Sequence, residues 1–123
     1  MQIAVLGAGM VGRAIAIDLA KDYDVTSFDL NPANLHELHR RNKDIKTVAV
    51  NLNQYEQFSQ WLAPFDLVVT AVPGFIGYQT LEAVIKAGKN VVDISFFPED
   101  PFLLDELAKK NNVTIITDCG VAP

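Results

Sequence analysis

The chain has 123 residues, half of them hydrophobic and 20% charged, the balance of one globular domain with its own core. Ten Lys and Arg against fifteen Asp and Glu leave a net charge of −5, so no basic excess exists to displace the counterions of a nucleic acid. The single cysteine, Cys119, excludes an internal disulfide and a cysteine zinc site and suits a reducing, cytoplasmic setting. No basic residue precedes the first apolar run, so no secretory signal is expected. The longest uncharged run, residues 67–81, is broken by Pro73, Gly74 and Gly77 and does not read as a membrane span.

Short β-rich runs alternate with helical patterns throughout. Strands are expected at residues 3–6, 25–29, 47–51, 67–72, 90–94 and 113–117. Most are continuous apolar runs, as in strands covered on both faces. Between the first two, Val11, Ile15 and Leu19 recur at helical spacing beside a row of small residues, Gly12, Ala16 and Ala20. Asn31 and Pro32 read as cap and first residue of a second helix with Leu35 and Leu38 inward. Asn53 and Glu56 are spaced as a capping box before a helix at 55–63, where Trp61 is core or partial core. Leu81, Val84 and Ile85 mark the next helix, which Gly88 ends. Asp100 and Pro101 open the last, where Leu104, Leu107 and Ala108 pack and Lys109 and Lys110 close. Residues 1–52 and 66–118 thus each hold three strands and two helices. The expectation is α/β: a single doubly wound Rossmann domain over residues 1–123, with a six-stranded parallel sheet of order 3-2-1-4-5-6 and helices on both faces.

The segment Gly7, Ala8, Gly9, Met10, Val11, Gly12 is a G-x-G-x-x-G between the first strand and the first helix. Gly7 permits the turn, Gly9 lacks the Cβ that would block a pyrophosphate, and Gly12 lets the helix approach the sheet. The helix N-terminus offers N–H groups to the anion. The plain alternative is a tight turn without a ligand. Arg13 follows, either as a phosphate contact or as a solvated helix residue.

Asp29 closes the second strand 22 residues after Gly7, where an acid accepts ribose hydroxyls and repels a 2′-phosphate. The next residues, Leu30, Asn31 and Pro32, bring no arginine. That favours NAD as cofactor over NADP, unless Asp29 is only a surface or capping acid. Asn51, Leu52 and Asn53, at the end of the third strand, are placed to lie beside the adenine, or Asn53 only caps the next helix. Ala71, Val72, Pro73, Gly74 and Phe75 end the fourth strand at the topological switch point, where open α/β sheets bind ligands, or form a simple turn. His36 and His39, three apart on the second helix, lack an evident third metal ligand and read as a solvated face.

GAGMVGRAIAIDL, the acid in FDLNP, AVPGFIGYQTLEAVIKAGKNVVDISFFPED and DCGVAP together resemble the N-terminal dinucleotide domain of saccharopine dehydrogenase-like proteins, nearest the NAD-dependent lysine dehydrogenase-like members. The resemblance runs over nearly the whole chain, and AVPGF, VDISF and DCGVAP discriminate far better than the glycine loop. It implies NAD(H) contacts at Gly7, Gly9, Met10, Val11, Asp29, Leu30, Leu52, Ala71, Val72 and Pro73, and places Asp93 and Ser95 near the nicotinamide. Asp93 is then a proton-transfer or amine-binding group, or a strand-end acid that holds a loop. This chain has Asn51 where relatives often carry an acid. Cys119 reads as a small buried residue.

The family implies hydride transfer with an amino-acid or imine substrate. In it, the segment matching GVAP leads into a second domain that closes over the cofactor and supplies substrate contacts and dimerisation. The 123 residues alone are expected to bind cofactor without turnover. The rival is a nucleotide-sensing module of the kind attached to potassium channels and transporters, which shares the glycine loop and the acid but not AVPGF, VDISF or DCGVAP. A methyltransferase-type nucleoside site is disfavoured by six parallel-strand patterns with no terminal antiparallel hairpin.

Overall fold

The structure, a computed structural model, describes residues 1–95 and 99–117. Among these, six strands pair in parallel in the order β3-β2-β1-β4-β5-β6. They are β1 (Gln2–Leu6), β2 (Asp24–Asp29), β3 (Lys46–Ala49), β4 (Leu67–Thr70), β5 (Val91–Asp93) and β6 (Ile115–Thr117). The helices are α1 (Met10–Leu19), α2 (Pro32–Arg41), α3 (Phe58–Trp61), α4 (Gly74–Lys86) and α5 (Asp105–Lys110). The expected doubly wound architecture is the observed one. Among the described residues, no helix is long and apolar enough to cross a membrane.

Alternation along the strands divides the core between the two faces of the sheet. Ile3 and Val5 of β1 pack with Val25, Ala16 of α1 and Leu38 of α2. Ala4 and Leu6 pack on the other face with Phe28, Phe58, Leu81, Val84 and Leu104. Leu81, Val84 and Ile85 are wholly buried, each contributing about 1.5–3 kcal/mol of apolar burial. The face α1 turns to the sheet is its small one: Gly12 and Ala16 are buried while Val11 stands 61% exposed. That row lets the helix axis approach the strands closely, as the dinucleotide turn requires.

Two local expectations are corrected. The segment after β3 is a 3-10 turn, Tyr55–Gln57, followed by the short α3, and no side chain caps either piece. Asn51 Oδ1 accepts the Asn53 N–H at 3.1 Å, so an Asx turn supplants the capping box and tightens the entry. The last helix likewise opens as a 3-10 turn, Pro101–Leu104, capped by Asp100 Oδ1 on the Phe102 N–H. Elsewhere the caps agree. Asn31 Oδ1 caps α2 at the Ala33 N–H with Pro32 at the first position, and Gly88 follows α4 at φ +76°.

On α2, Arg40 and then Arg41 hydrogen-bond the Glu37 carboxylate and lower its pKa from the ordinary 4.5 to about 2. Because the folded value is the lower one, this contribution to stability is present above about pH 4.5 and is lost as pH falls toward 2. A carboxyl-carbon NMR titration should give a Glu37 midpoint near 2; a midpoint near 4.5 contradicts the pairing.

Candidate functional site: a cleft at the carboxyl ends of the strands

β1 hands over to α1 through Gly7, whose φ of +105° is open to glycine and strained for other residues. Its N–H donates to the Phe28 carbonyl at 2.8 Å, which ties the turn to β2. A Cβ on Gly7 would lie 2.8 Å from the Ala71 carbonyl carbon, and one on Gly12 would lie 2.9 Å from the Gly7 carbonyl carbon. At Gly9 a Cβ would meet nothing within 4 Å. Two glycines of the motif therefore serve packing of loop, helix and β4, while Gly9 faces open space. No side chain caps α1 and no acid lies in its first turn, so its leading N–H groups and positive dipole end address the cleft.

That cleft has two lobes. One, about 420 Å³, is lined by Gly7, Gly9, Met10, Val11, Gly12, Asp29, Asn34 and, across the switch point, Ala71, Val72, Pro73, Ile94 and Ser95. The other, about 280 Å³, lies between Asp29, Leu30, Asn51, Leu52 and Asn53 on one side and Val72, Pro73, Phe75 and Ile76 on the other. Gly7, Asp29, Val72 and Pro73 border both. The first lobe joins the glycine loop to the ends of β4 and β5. The second is narrower and more apolar, with Leu52 buried and Leu30 61% exposed at its rim. The two lobes would accommodate the two halves of a dinucleotide, with the Gly9–Gly12 turn and the residues of both lobes available to hold it. The open position at Gly9 is the observation that fits the residues to that group.

Asp29 is built into the loop rather than left dangling. Its Oδ2 accepts the Ala8 N–H at 2.6 Å and the Asn34 Nδ2 at 3.5 Å, and its Oδ1 accepts the Asn31 N–H at 2.9 Å. Ala8 is wholly buried with its amide spent on Asp29, so it positions the acid instead of lining either lobe. Gly74 likewise begins α4 beyond the lobe walls. Most of the expected cofactor residues, Gly7, Gly9, Met10, Val11, Gly12, Asp29, Leu30, Asn51, Leu52, Ala71, Val72 and Pro73, come together around the cleft.

Asp93 and Ser95 occupy different positions. Asp93 is wholly buried. Its Oδ1 accepts the Thr70 hydroxyl at 2.5 Å and the Ser95 N–H at 3.2 Å. Ser95 borders the first lobe, and its Oγ accepts the Val72 N–H at 3.0 Å. These bonds lock the ends of β4 and β5 together, the loop-holding arrangement. Asp93→Ala should strand the Thr70 hydroxyl and Ser95 amide in the interior. We expect a loss of about 1–3 kcal/mol for each, read by denaturant unfolding; an unchanged midpoint would contradict it. The motif residue Phe96 and the DCGVAP segment, Asp118 and Cys119 included, lie outside the described residues. His36 and His39 are both exposed, and no group of three potential metal ligands occurs among the described residues.

The wall residues not foreseen are Asn34, Ile76 and Ile94; Asn53 and Phe75 join them as expected of their positions, and Arg13 lies behind the wall, half-buried. Arg13 Nη1 donates to the Ala8 carbonyl at 3.0 Å and to Asn34 Oδ1 at 3.1 Å. Only the helical phase of α1 and α2 signals that meeting.

Comparison with known proteins agrees with this geometry. Shikimate dehydrogenase (NADP(+)) of Methanococcus vannielii is 28% identical over 128 aligned residues, 97% of this chain and 45% of that protein. Apo saccharopine dehydrogenase (L-Glu forming) from Saccharomyces cerevisiae superposes with a TM-score of 0.83 at 21% identity, over 98% of this chain and 27% of that one. Scyllo-inositol dehydrogenase from Lactobacillus casei, solved with NAD(H) and scyllo-inositol, gives 0.72 at 19% identity, over 95% of this chain and 35% of that one. The chain thus spans less than half the length of these relatives. The family described as "Saccharopine dehydrogenase NADP binding domain" matches residues 3–116. With a Rossmann sheet and a glycine loop beside Asp29 in one cleft, the chain belongs to that saccharopine dehydrogenase family as its nicotinamide-dinucleotide-binding domain.

Proposed function

We propose that the chain binds NAD(H) in preference to NADP(H) and serves as the cofactor half of an oxidoreductase acting on an amino acid or imine. The observation that carries the cofactor preference is Asp29. Its carboxylate stands where the two lobes meet, fixed by backbone N–H groups from the loop and from the start of α2. Held there, it accepts a ribose hydroxyl as a charge-assisted bond and opposes a phosphate in the same place.

When bound, the nicotinamide supplies hydride donor and acceptor chemistry. Around it, Val72 and Pro73 form the end wall of β4, and Ser95, its Oγ anchored on the Val72 N–H, fixes the adjoining end of β5. These groups orient one face of a planar ring and exclude water from it. Asp93, out of reach beneath them, keeps that floor in register.

Titration calorimetry with NADH and NADPH tests the reading. Saturable NADH binding, with NADPH weaker, is the expected result. Equal affinities would refute the preference, and no saturation with either up to millimolar concentration would refute the cofactor assignment.

A further inference from the structure

The ribose acid does not stand alone. Asp29 Oδ2 accepts from Asn34 Nδ2, and Asn34 Oδ1 accepts from Arg13 Nη1. The three side chains come from the end of β2, the first turn of α2 and the first turn of α1, and they close a ring through the Ala8 N–H and carbonyl. Arg13 is half-buried, and only Nη1 of its guanidinium is engaged among the described residues. Nε and Nη2 remain as donors one side chain away from the carboxylate. A guanidinium is never neutral in a protein and presents its donors as a fork matched to phosphate.

We propose that Arg13, with Asn34 as its hinge, is a latent seat for a 2′-phosphate, held in check by Asp29. Resting on the reading of Asp29 as the ribose acid, the argument is one of counting. A carboxylate offers about four lone-pair sites. Ala8, Asn31 and Asn34 take three, and a ribose hydroxyl takes the fourth. A phosphate added to that hydroxyl meets the carboxylate charge and displaces the weakest of the bonds, the 3.5 Å contact from Asn34. Behind Asn34 it meets Arg13. A repelling charge in the cleft and an attracting one behind its Asn34 wall therefore both act on the 2′ position, and the preference for an unphosphorylated ribose is set by their balance.

The test uses the adenosine end alone: 5′-AMP against adenosine 2′,5′-bisphosphate, titrated into the wild-type chain, Asp29→Asn, Arg13→Gln and the double variant. Glutamine retains a donor amide at position 13 and removes the charge. The wild-type chain should prefer 5′-AMP. Asp29→Asn should weaken 5′-AMP and reverse the preference, by about tenfold or more, the size of one charge-assisted bond. Adding Arg13→Gln should abolish the reversal. A reversal that survives in the double variant overturns the role of Arg13 while leaving Asp29 as the ribose acid. A 5′-AMP affinity unmoved by Asp29→Asn overturns both. Should Asp29→Asn fail to fold, Arg13→Gln alone decides: it must lower the bisphosphate affinity more than the 5′-AMP affinity, and equal losses would reduce Arg13 to a brace for the loop.

Discussion

Gly9→Val is expected to abolish NADH binding in a chain that still folds, whereas Gly12→Ala is expected to damage the fold itself. The two differ in what the new Cβ meets. At position 9 there is nothing within 4 Å, and the backbone, at φ −66° and ψ −171°, is extended and acceptable to valine. The branched side chain then fills the space over the first N–H groups of α1, where a pyrophosphate must approach. The helix loses only a favourable cap residue, about 1 kcal/mol. At position 12 even a methyl group would lie 2.9 Å from the Gly7 carbonyl carbon and 3.5 Å from the Ala71 Cβ. The first of these is backbone and cannot rotate away. Overpacking of this kind costs about 3 kcal/mol, a large share of the 5–15 kcal/mol typical of a domain. Circular dichroism melting and an NADH binding curve on both variants separate the cases. Retained affinity in Gly9→Val would mean the loop is only a turn.

Asp29→Ala should carry the second largest effect, and it acts on binding and stability together. In binding, the loss of a charged acceptor for the ribose costs about 1.5–3 kcal/mol, so NADH should weaken at least about tenfold and its advantage over NADPH should shrink. In stability, the Ala8 N–H, nearly inaccessible in the loop, loses its 2.6 Å acceptor, and α2 loses the Asn31 N–H bond at its entry. Asp29→Asn keeps a neutral acceptor at the same place and should recover much of the stability while recovering little of the discrimination. NADH and NADPH affinities beside chemical unfolding of both variants provide the check. Wild-type affinity in Asp29→Ala would remove the acid from the site.

The architecture was legible because it rests on local signals. Continuous apolar runs mark strands covered on both faces, and the Asn31–Pro32 start of α2 is a capping pattern that tertiary packing did not override. The positions of the glycine motif and Asp29 around one cleft were legible for the same reason, since each stands at a fixed point of one β-α-β unit. Strand ends were read too long. Residues 50 and 51 lie past β3, where the Val50 N–H makes one last bond to the Asp29 carbonyl, and the Ala71 N–H does the same to Leu6 beyond β4. Apolar character runs on past the ladder because Val50 packs against the core while Ala71 and Val72 wall the cleft. Arg13 and Asn34 were illegible as a pair: they stand 21 positions apart and meet only because α1 and α2 lie side by side on the same face. Asp93 showed as a titratable group at a strand end. Its wholly buried position, bonded to Thr70 and Ser95, comes from the pairing of β4 with β5.

The central claim is that this cleft, and no other surface, holds the dinucleotide. The most direct measurement is an amide chemical-shift titration of the labelled chain with NADH. The account predicts the largest shifts at Gly9 to Gly12, at Asp29 and Leu30, at Asn51 and Leu52, and at Val72 and Ser95, with the outer edges of β3 and β6 still. Saturating shifts centred elsewhere, or none at all, would contradict it.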